Sequence, residues 1–403
     1  MDHAVEFQHG ALADLRVLEL GTLLAGPFCG QLLGDMGAEV IKIEAPNQGD
    51  PMRVWGRQKH GDPSLWWPVV ARNKKSITLD LRQAAGQEIL KELVTKADFL
   101  LENFRPGTME KWGLDYAALS AINPRLIMIR VSGYGQTGPY AHRAGFGAVG
   151  EAMGGLRYVV GDPSTPPSRV GISIGDSLAA TFACLGALSA LHYRERTGRG
   201  QVVDSAIYEA VLAMMESLIT EYDKTGYVRE RTGAILPNVA PSNVYPTSEG
   251  WVLIAANQDT VFRRLCEAMG QPDLAQRPEY ANHQARGAHQ RELDELIARW
   301  TAGLTTERVL DLMDRHGVPA GLIYRPPDML KDPQFLARHA IVSVQHPMFG
   351  ELKMQNVVPK LSATPGGIRA PAPELGEHNE EIYRGLLGYP SERIAALAAR
   401  GVI

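Results

Sequence analysis

Short β-like runs alternate with helical stretches from the start of the chain, and that alternation limits the fold more than any other feature. Arg16–Leu20 reads as a strand, followed by a glycine-bearing turn and a helix through Met36. Ala38–Glu44 is a second strand and Ser76–Leu81 a third. A helix from Gln83 to Ala97 precedes a fourth strand, Asp98–Glu102, and Leu126–Val131 is a fifth. Strands and helices alternating at this pitch predict an α/β fold with a doubly wound, mainly parallel, Rossmann-like sheet. Ligands of such sheets bind in loops at strand carboxyl ends, which here are Gly21–Pro27, Asn103–Gly107 and Ser132–Gly138.

Past another strand at Val202–Ala206 the pattern changes. Trp251–Ala255 opens a smaller α/β unit with helices near Val261–Met269, Arg291–Ala302 and Glu307–Arg315. This reading gives a large domain of residues 1–207 and 383–403, a linker at 208–237, a small domain at 238–327 and a connector at 328–382. The proline-bearing stretch from Pro326 to Pro373 is long for a structureless loop, which fits a connector crossing another surface.

A hydrophobic fraction of 45% and a charged fraction of 21% suit a globular protein with a large core. Net charge is −4, from 41 basic and 45 acidic residues, so neither nucleic acid nor an anionic membrane is an expected partner. Cys29, Cys184 and Cys266 are widely spaced, form no metal or redox pair, and point to a reducing compartment. The first residues lack a basic and an apolar signal region. The run Leu178–Tyr193 falls short of a membrane span and suits a buried helix. Together these place the chain in the cytoplasm as an expectation.

Two pattern matches need weighing. Gly133-Tyr-Gly-Gln-Thr-Gly138 fits the dinucleotide fingerprint, but Pro139 follows where a helix should run on, and the motif trails the fifth strand rather than the first. Gly171-Ile-Ser-Ile-Gly175 fits a nucleophile elbow built on Ser173, with His378 as a base. An elbow needs a buried strand before it, and the preceding residues 161–169 are rich in turn formers. No phosphate-binding P-loop and no HExxH zinc motif occur. Arg72, Lys74, Lys75, Arg82, Arg105, Lys111 and Arg143 lie near the strand-end loops. They read either as a solvated face or as contacts to the phosphates of a nucleotide-like carrier.

Asp176 then gains weight. It follows Gly175 and begins a long run of small apolar residues, so its carboxylate would sit at the N-terminus of a helix. Free N–H groups and the helix dipole favour an ionised side chain there. Such a carboxylate serves as an N-cap or as a nucleophile that holds an acyl group as an anhydride.

Taken in order, several segments resemble class III CoA-transferases, the formyl-CoA and carnitine CoA-transferase family, over nearly the whole chain. They include Leu12–Leu20, Ala25-Gly-Pro27, Gly37–Glu44, Lys74–Leu81, Glu102–Gly107, Gly133–Pro139, Gly175-Asp176, Thr197–Gln201, Asp332–Gln334, Gly376–His378 and Gly401–Ile403. The resemblance implies that Asp176 is the nucleophile and that Ala25, Leu79, Arg82, Asn103, Phe104, Lys111 and Arg143 line a CoA site. It also implies an interlocked homodimer, and coenzyme A thioester as substrate with no tightly bound cofactor. Ala45 stands where some relatives carry an arginine near the adenine-phosphate end, so that charge must come from elsewhere. Related α-methylacyl-CoA racemases pair the aspartate with a histidine. Here Phe146 and Gly147 occupy that place, and no second base is evident. A catalytically idle CoA-binding subunit is a further alternative, against which the intact Asp176 argues.

On this reading Gly133, Gly135 and Gly138 form a lid, and backbone N–H groups at Gly175–Ser177 support the oxyanion. Val170–Asp176 and Asn238–Asn243 resemble the branch that uses succinyl-CoA and dicarboxylates such as glutarate, malate or citramalate. Arg169 or Arg157 would bind the second carboxylate.

Overall fold

In the computed structural model, which describes residues 10–56 and 63–403, the alternation becomes one six-stranded sheet. Its strands are β1 (Arg16–Glu19), β2 (Glu39–Glu44), β3 (Lys74–Thr78), β4 (Phe99–Glu102), β5 (Ile127–Ser132) and β6 (Val202–Ala206). They lie in the order β3-β2-β1-β4-β5-β6 with every neighbouring pair parallel. The order reverses between β1 and β4, so the loops leaving those strands diverge and open a crevice at their carboxyl ends.

Both faces of the sheet are covered. Leu18, Ile41, Ile77, Leu100 and Met128 share a core with the helix Ala84–Val94 and with Ile382, Tyr383 and Leu397 near the C-terminus. Val17, Val40, Phe99, Ile127 and Ile129 pack with residues of the helices Ala25–Asp35 and Ile174–Thr197 on the other side. Burial on both faces explains why these strands read as continuous apolar runs. β3 begins earlier than the sequence reading placed it, because Lys74 is buried and its charge does not mark a loop. The outer edge of β3 is closed by the C-terminal segment: His378 N–H donates to the Ser76 carbonyl at 2.9 Å, and Asn379 Oδ1 accepts from Thr78 N–H at 2.9 Å.

The helix Ile174–Thr197 departs from expectation in two ways. It outruns the apolar stretch at both ends, so by length and composition alone it could span a membrane. It is also buried on one side only. Ala179, Ala180, Ala183, Ala187 and Ala190 are at most 1% exposed and recur at helical spacing, letting the helix approach its neighbours closely. Phe182, Leu185, Leu188 and Tyr193 stand 36–59% exposed.

The chain forms two compact units, Met1–Leu156 with Val170–Lys224 and Gln334–Ile403, and Arg157–Arg169 with Thr225–Pro333. The first therefore takes in most of the segment 328–382 that sequence read as a connector. That segment holds an antiparallel hairpin, Ile341–His346 with Gly350–Gln355, whose carbonyl at Gln355 accepts from Arg72 Nη1 at 2.6 Å. In the second unit a three-stranded antiparallel sheet, Ser242–Pro246, Trp251–Ala255 and Ala320–Leu322, supports amphipathic helices around Tyr245, Phe262, Leu293 and Met313.

Candidate active site

At the reversal point β1 and β4 deliver Gly21–Pro27 and Asn103–Gly107 side by side, and Asn103 fastens the two loops. Its Oδ1 accepts from Thr22 N–H at 2.8 Å and its Nδ2 donates to the Thr22 carbonyl at 2.9 Å. A Cβ at Gly21 or Gly26 would meet Asn103 at 3.1 or 3.2 Å, so the loops can approach only because those residues have no side chain.

Below this loop lies a buried ion network. Lys42 Nζ donates to the Gly21 carbonyl at 2.8 Å and pairs with Glu19 at 3.0 Å and Asp50 at 2.8 Å. Lys74 Nζ donates to the Pro27 carbonyl at 2.7 Å and pairs with Glu19 at 2.7 Å. Asp50 Oδ1 accepts from Leu23 N–H at 3.1 Å, holding a non-glycine residue at a φ of 64°. All four ionised side chains are at most 1% exposed. Burial opposes the charge on Lys42, but Glu19 and then Asp50 outweigh it and raise its pKa. Lys74 goes the other way, lowered by burial and by nearby Lys42 despite Glu19. Burial also opposes the charge on Asp50, yet Lys42 holds its carboxyl below the usual range. The loop is thus clamped from beneath by charges whose removal in isolation is costly.

Above the network is a cavity of about 210 Å³ with Lys42 and Asp50 in its floor, Leu79, Phe104 and Trp112 in its walls, and Asp80 and Arg82 at its side. Phe104 and Trp112 meet edge to face at 5.3 Å. Phe104 also lines a second cavity of about 230 Å³, which runs from Asn103 past Gly133 and Arg143 to Phe146. Of the residues expected at a CoA site, the structure brings Leu79, Arg82, Asn103, Phe104 and Arg143 to these two cavities. Ala25 is buried at the start of its helix, and Lys111 is exposed one residue before Trp112.

The other basic residues are spent elsewhere. Arg72 is buried against Asp35 at 2.7 Å, Lys74 belongs to the network, and Lys75 bridges Glu39 and Glu381. Each of the three is already paired: Arg72, in the turn before β3, with Asp35 at the end of a helix, and Lys74 and Lys75, on β3, with carboxylates of β1, β2 and the C-terminal segment. Arg105 Nε donates to the His142 carbonyl at 2.8 Å, and Arg143 stacks over the Tyr140 ring at 3.8 Å.

Asp176 occupies the first turn of the helix Ile174–Thr197, half-buried. Its carboxylate lies against Gly147, the first residue of the helix Gly147–Met153: a Cβ there would stand 2.7 Å from Asp176 Cγ and 2.8 Å from Oδ1. Phe146, which ends the second cavity, precedes that glycine and is 68% exposed. One turn further along the same helix, Glu151 is wholly buried and its Oε1 accepts from Gly175 N–H at 3.4 Å. Gly175 N–H therefore points at Glu151, and Ser177 N–H is used within the helix by Ser173.

The glycine loop after β5 is tethered over most of its length. Gly133 abuts Gly145, with 3.0 Å between a would-be Cβ and that backbone. Gly135 N–H donates to Ser132 Oγ at 3.0 Å and Gln136 N–H to Asp204 Oδ2 at 2.9 Å. Burial raises the pKa of Asp204. Gly138 alone faces open space, at a φ of 86°. Arg157 and Arg169 fall in the second compact unit, the former half-buried and the latter exposed.

Sequence reasoning missed Lys42, Asp50, Gly147, Glu151 and Asp204. Lys42 left one signal, a lysine between isoleucines in a strand otherwise buried on both faces. Glu151 left none, since a single glutamate in a short helix looks solvated.

A strand-end crevice with two cavities that share Phe104, one of them lined by the residue preceding the glycine against Asp176, suits a long carrier ligand, and comparison with known proteins agrees. The family model described as CoA-transferase family III matches residues 12–379. The succinyl-CoA–D-citramalate CoA-transferase of Chloroflexus aurantiacus is 63% identical over 393 residues, covering 97% of this chain and 98% of that one. The beta subunit of the succinyl-CoA–L-malate CoA-transferase from the same organism is 42% identical, over 97% of this chain and 98% of its own. The crystal structure of a CAIB/BAIF family protein from Brucella suis superposes with a TM-score of 0.84 at 34% identity, covering 94% of this chain and 100% of that chain. Fold, crevice and end-to-end similarity converge: the chain belongs to CoA-transferase family III and is an enzyme that transfers CoA.

Proposed function

We propose that this enzyme moves CoA from succinyl-CoA to a dicarboxylic acid of the citramalate or malate type, with Asp176 as the covalent carrier. The observation that carries the reading is the pair of cavities at the strand ends. Phe104 lines both, and the second is lined also by Phe146, whose neighbour Gly147 lies against the Asp176 carboxylate. A long ligand with a nucleotide at one end and a thioester at the other would use both. The names of the relatives supply the donor and the acceptor class.

An Asp176 carboxylate oxygen attacks the thioester carbonyl of succinyl-CoA, the C–S bond breaks, and CoA thiolate leaves an aspartyl–succinyl anhydride. The thiolate attacks the aspartyl carbonyl, succinate departs, and an aspartyl-CoA thioester remains. The acceptor carboxylate attacks that thioester and expels thiolate again. Thiolate attack on the acceptor carbonyl of the second anhydride then frees Asp176. No electrons are exchanged and no net proton is needed, so the activation of the acyl group passes from donor to acceptor. The Gly138 end of its loop shields the anhydrides from water. The exposed Phe182, Leu185, Leu188 and Tyr193 supply an apolar face that a homodimer would cover.

Succinyl-CoA offered with citramalate, malate, mesaconate or glutarate, followed by mass spectrometry of the CoA esters, tests the assignment. New dicarboxylate esters with loss of succinyl-CoA are expected. Failure to exchange CoA with any of these acids would overturn it.

A further inference from the structure

Three carboxylates, Glu44, Asp50 and Asp80, line the first cavity where an anionic ligand is to bind; Glu44 is paired with Arg53 and Asp50 with Lys42, which leaves Asp80 as the one set against the cavity's exposed cation, and this bears on how tightly CoA is held. Besides Arg82, the basic residue lining that cavity among the described residues is Lys42, whose ammonium is fully used by Gly21, Glu19 and Asp50. Ala45, also in the lining, contributes no charge. Arg82 thus carries the electrostatic attraction for a phosphate, and its side chain is 68% exposed. Yet it is already engaged. Its Nε donates to Asp80 Oδ1 at 2.8 Å and its Nη2 to Oδ2 at 3.2 Å, a two-pronged pair with a carboxylate that itself lines the cavity. Arg105 and Arg143 are held by a carbonyl and a ring, which do not compete as anions.

We propose that Asp80 is an affinity-setting residue: it competes with the ligand phosphates for Arg82 and repels them, so that CoA is bound more weakly than the site would otherwise allow. This rests on the reading of the cavity as the nucleotide end of a CoA site. The physical reason for such a residue is that tightness shared by substrate, intermediate and product does not speed the chemistry. CoA esters must leave after every second half-reaction, and a pair whose Arg82 side chain is 68% exposed, against 12% for Asp80, is open to salt and to a competing anion from the Arg82 side.

Asp80→Asn is the test, because an asparagine Oδ1 can keep the turn bond to Arg82 N–H, 3.1 Å in the parent. Calorimetric titration with CoA should show about three- to tenfold tighter binding at low salt, fading at high salt. A merely structural role predicts weaker binding and a lower melting temperature. Asp80→Ser, which also retains a turn acceptor, should shift affinity the same way. Arg82→Gln should weaken CoA binding several-fold, and adding Asp80→Asn to it should recover much less than in the parent. Equal or weaker binding in both Asp80 variants, with Arg82→Gln still impaired, overturns the role of Asp80 alone. Unchanged binding in Arg82→Gln overturns the cavity assignment and this inference with it.

Discussion

The Gly21–Pro27 loop and the turn around Asp176 flank one run of cavities and are held in opposite ways. The loop rests on buried ions: within the network of Lys42, Lys74, Glu19 and Asp50, two lysines and one aspartate hold two of its carbonyls and one N–H from below, and Asn103 holds a fourth residue, Thr22, from the side. The Asp176 turn relies on closeness, with Gly147 and Gly175 letting the ends of two helices meet. Charges make a binding surface stiff and expensive to alter. Glycines give a carboxylate a tight seat that one methyl group destroys. Changes at the first end should therefore act on stability and CoA affinity, and changes at the second on turnover.

The contrast is easiest to break at Asp176 itself. Asp176→Asn is expected to lower turnover roughly a thousandfold or more, because the amide is a poor nucleophile, while CoA affinity and melting temperature stay near the parent's. Steady-state rates and calorimetry check both halves. Next in size is Lys42→Met, which leaves Asp50 and part of Glu19 buried without a counter-ion. Urea unfolding should show a loss of about 3–5 kcal/mol, and KM for acyl-CoA should rise more than kcat falls. A well-tolerated Lys42→Met would mean that the network does not clamp the loop.

Gly147→Ala sharpens the other side. Gly147 is not among the residues with positive φ, so alanine is allowed by the backbone, but its Cβ would fall 2.7 Å from Asp176 Cγ. Displacing the carboxylate by about an ångström should cost on the order of a hundredfold in kcat with little change in KM. A smaller effect is expected with acid. The carboxyls of Asp50 and Glu44 are held below their ordinary values of 3.8 and 4.5, each opposed by burial and outweighed by Lys42 or Arg53. Their contribution to stability is complete above those ordinary values and disappears as pH falls through the lower folded ones. Melting temperature should therefore drop below about pH 4.5, and the Asp50→Asn variant should show a shallower drop.

Much of the large domain was legible because strands covered on both faces announce themselves as apolar runs between helices. β1, β2, β4, β5 and β6 all fall where that signal placed them, and the three strand-end loops followed from it. The place of Asp176 in the first turn of a helix was legible from Gly175 before it and the alanine-rich run after it. The ion network was not, since Lys74 and Asp50 look like loop or surface charges until their partners are brought from other strands. The hairpin at Ile341–Gln355 was hidden by surrounding prolines and by half-exposed strands that lack a clean alternation. The seat of Asp176 depends on a contact between distant helices, which no local pattern encodes.

The most direct test is to give the enzyme succinyl-CoA without an acceptor, quench with hydroxylamine or borohydride, and sequence the peptide that carries residue 176 by mass spectrometry. A modified Asp176, absent from the Asp176→Asn variant, is the expected result. An unmodified Asp176 in donor-saturated enzyme that turns over normally once an acceptor is added would contradict the account.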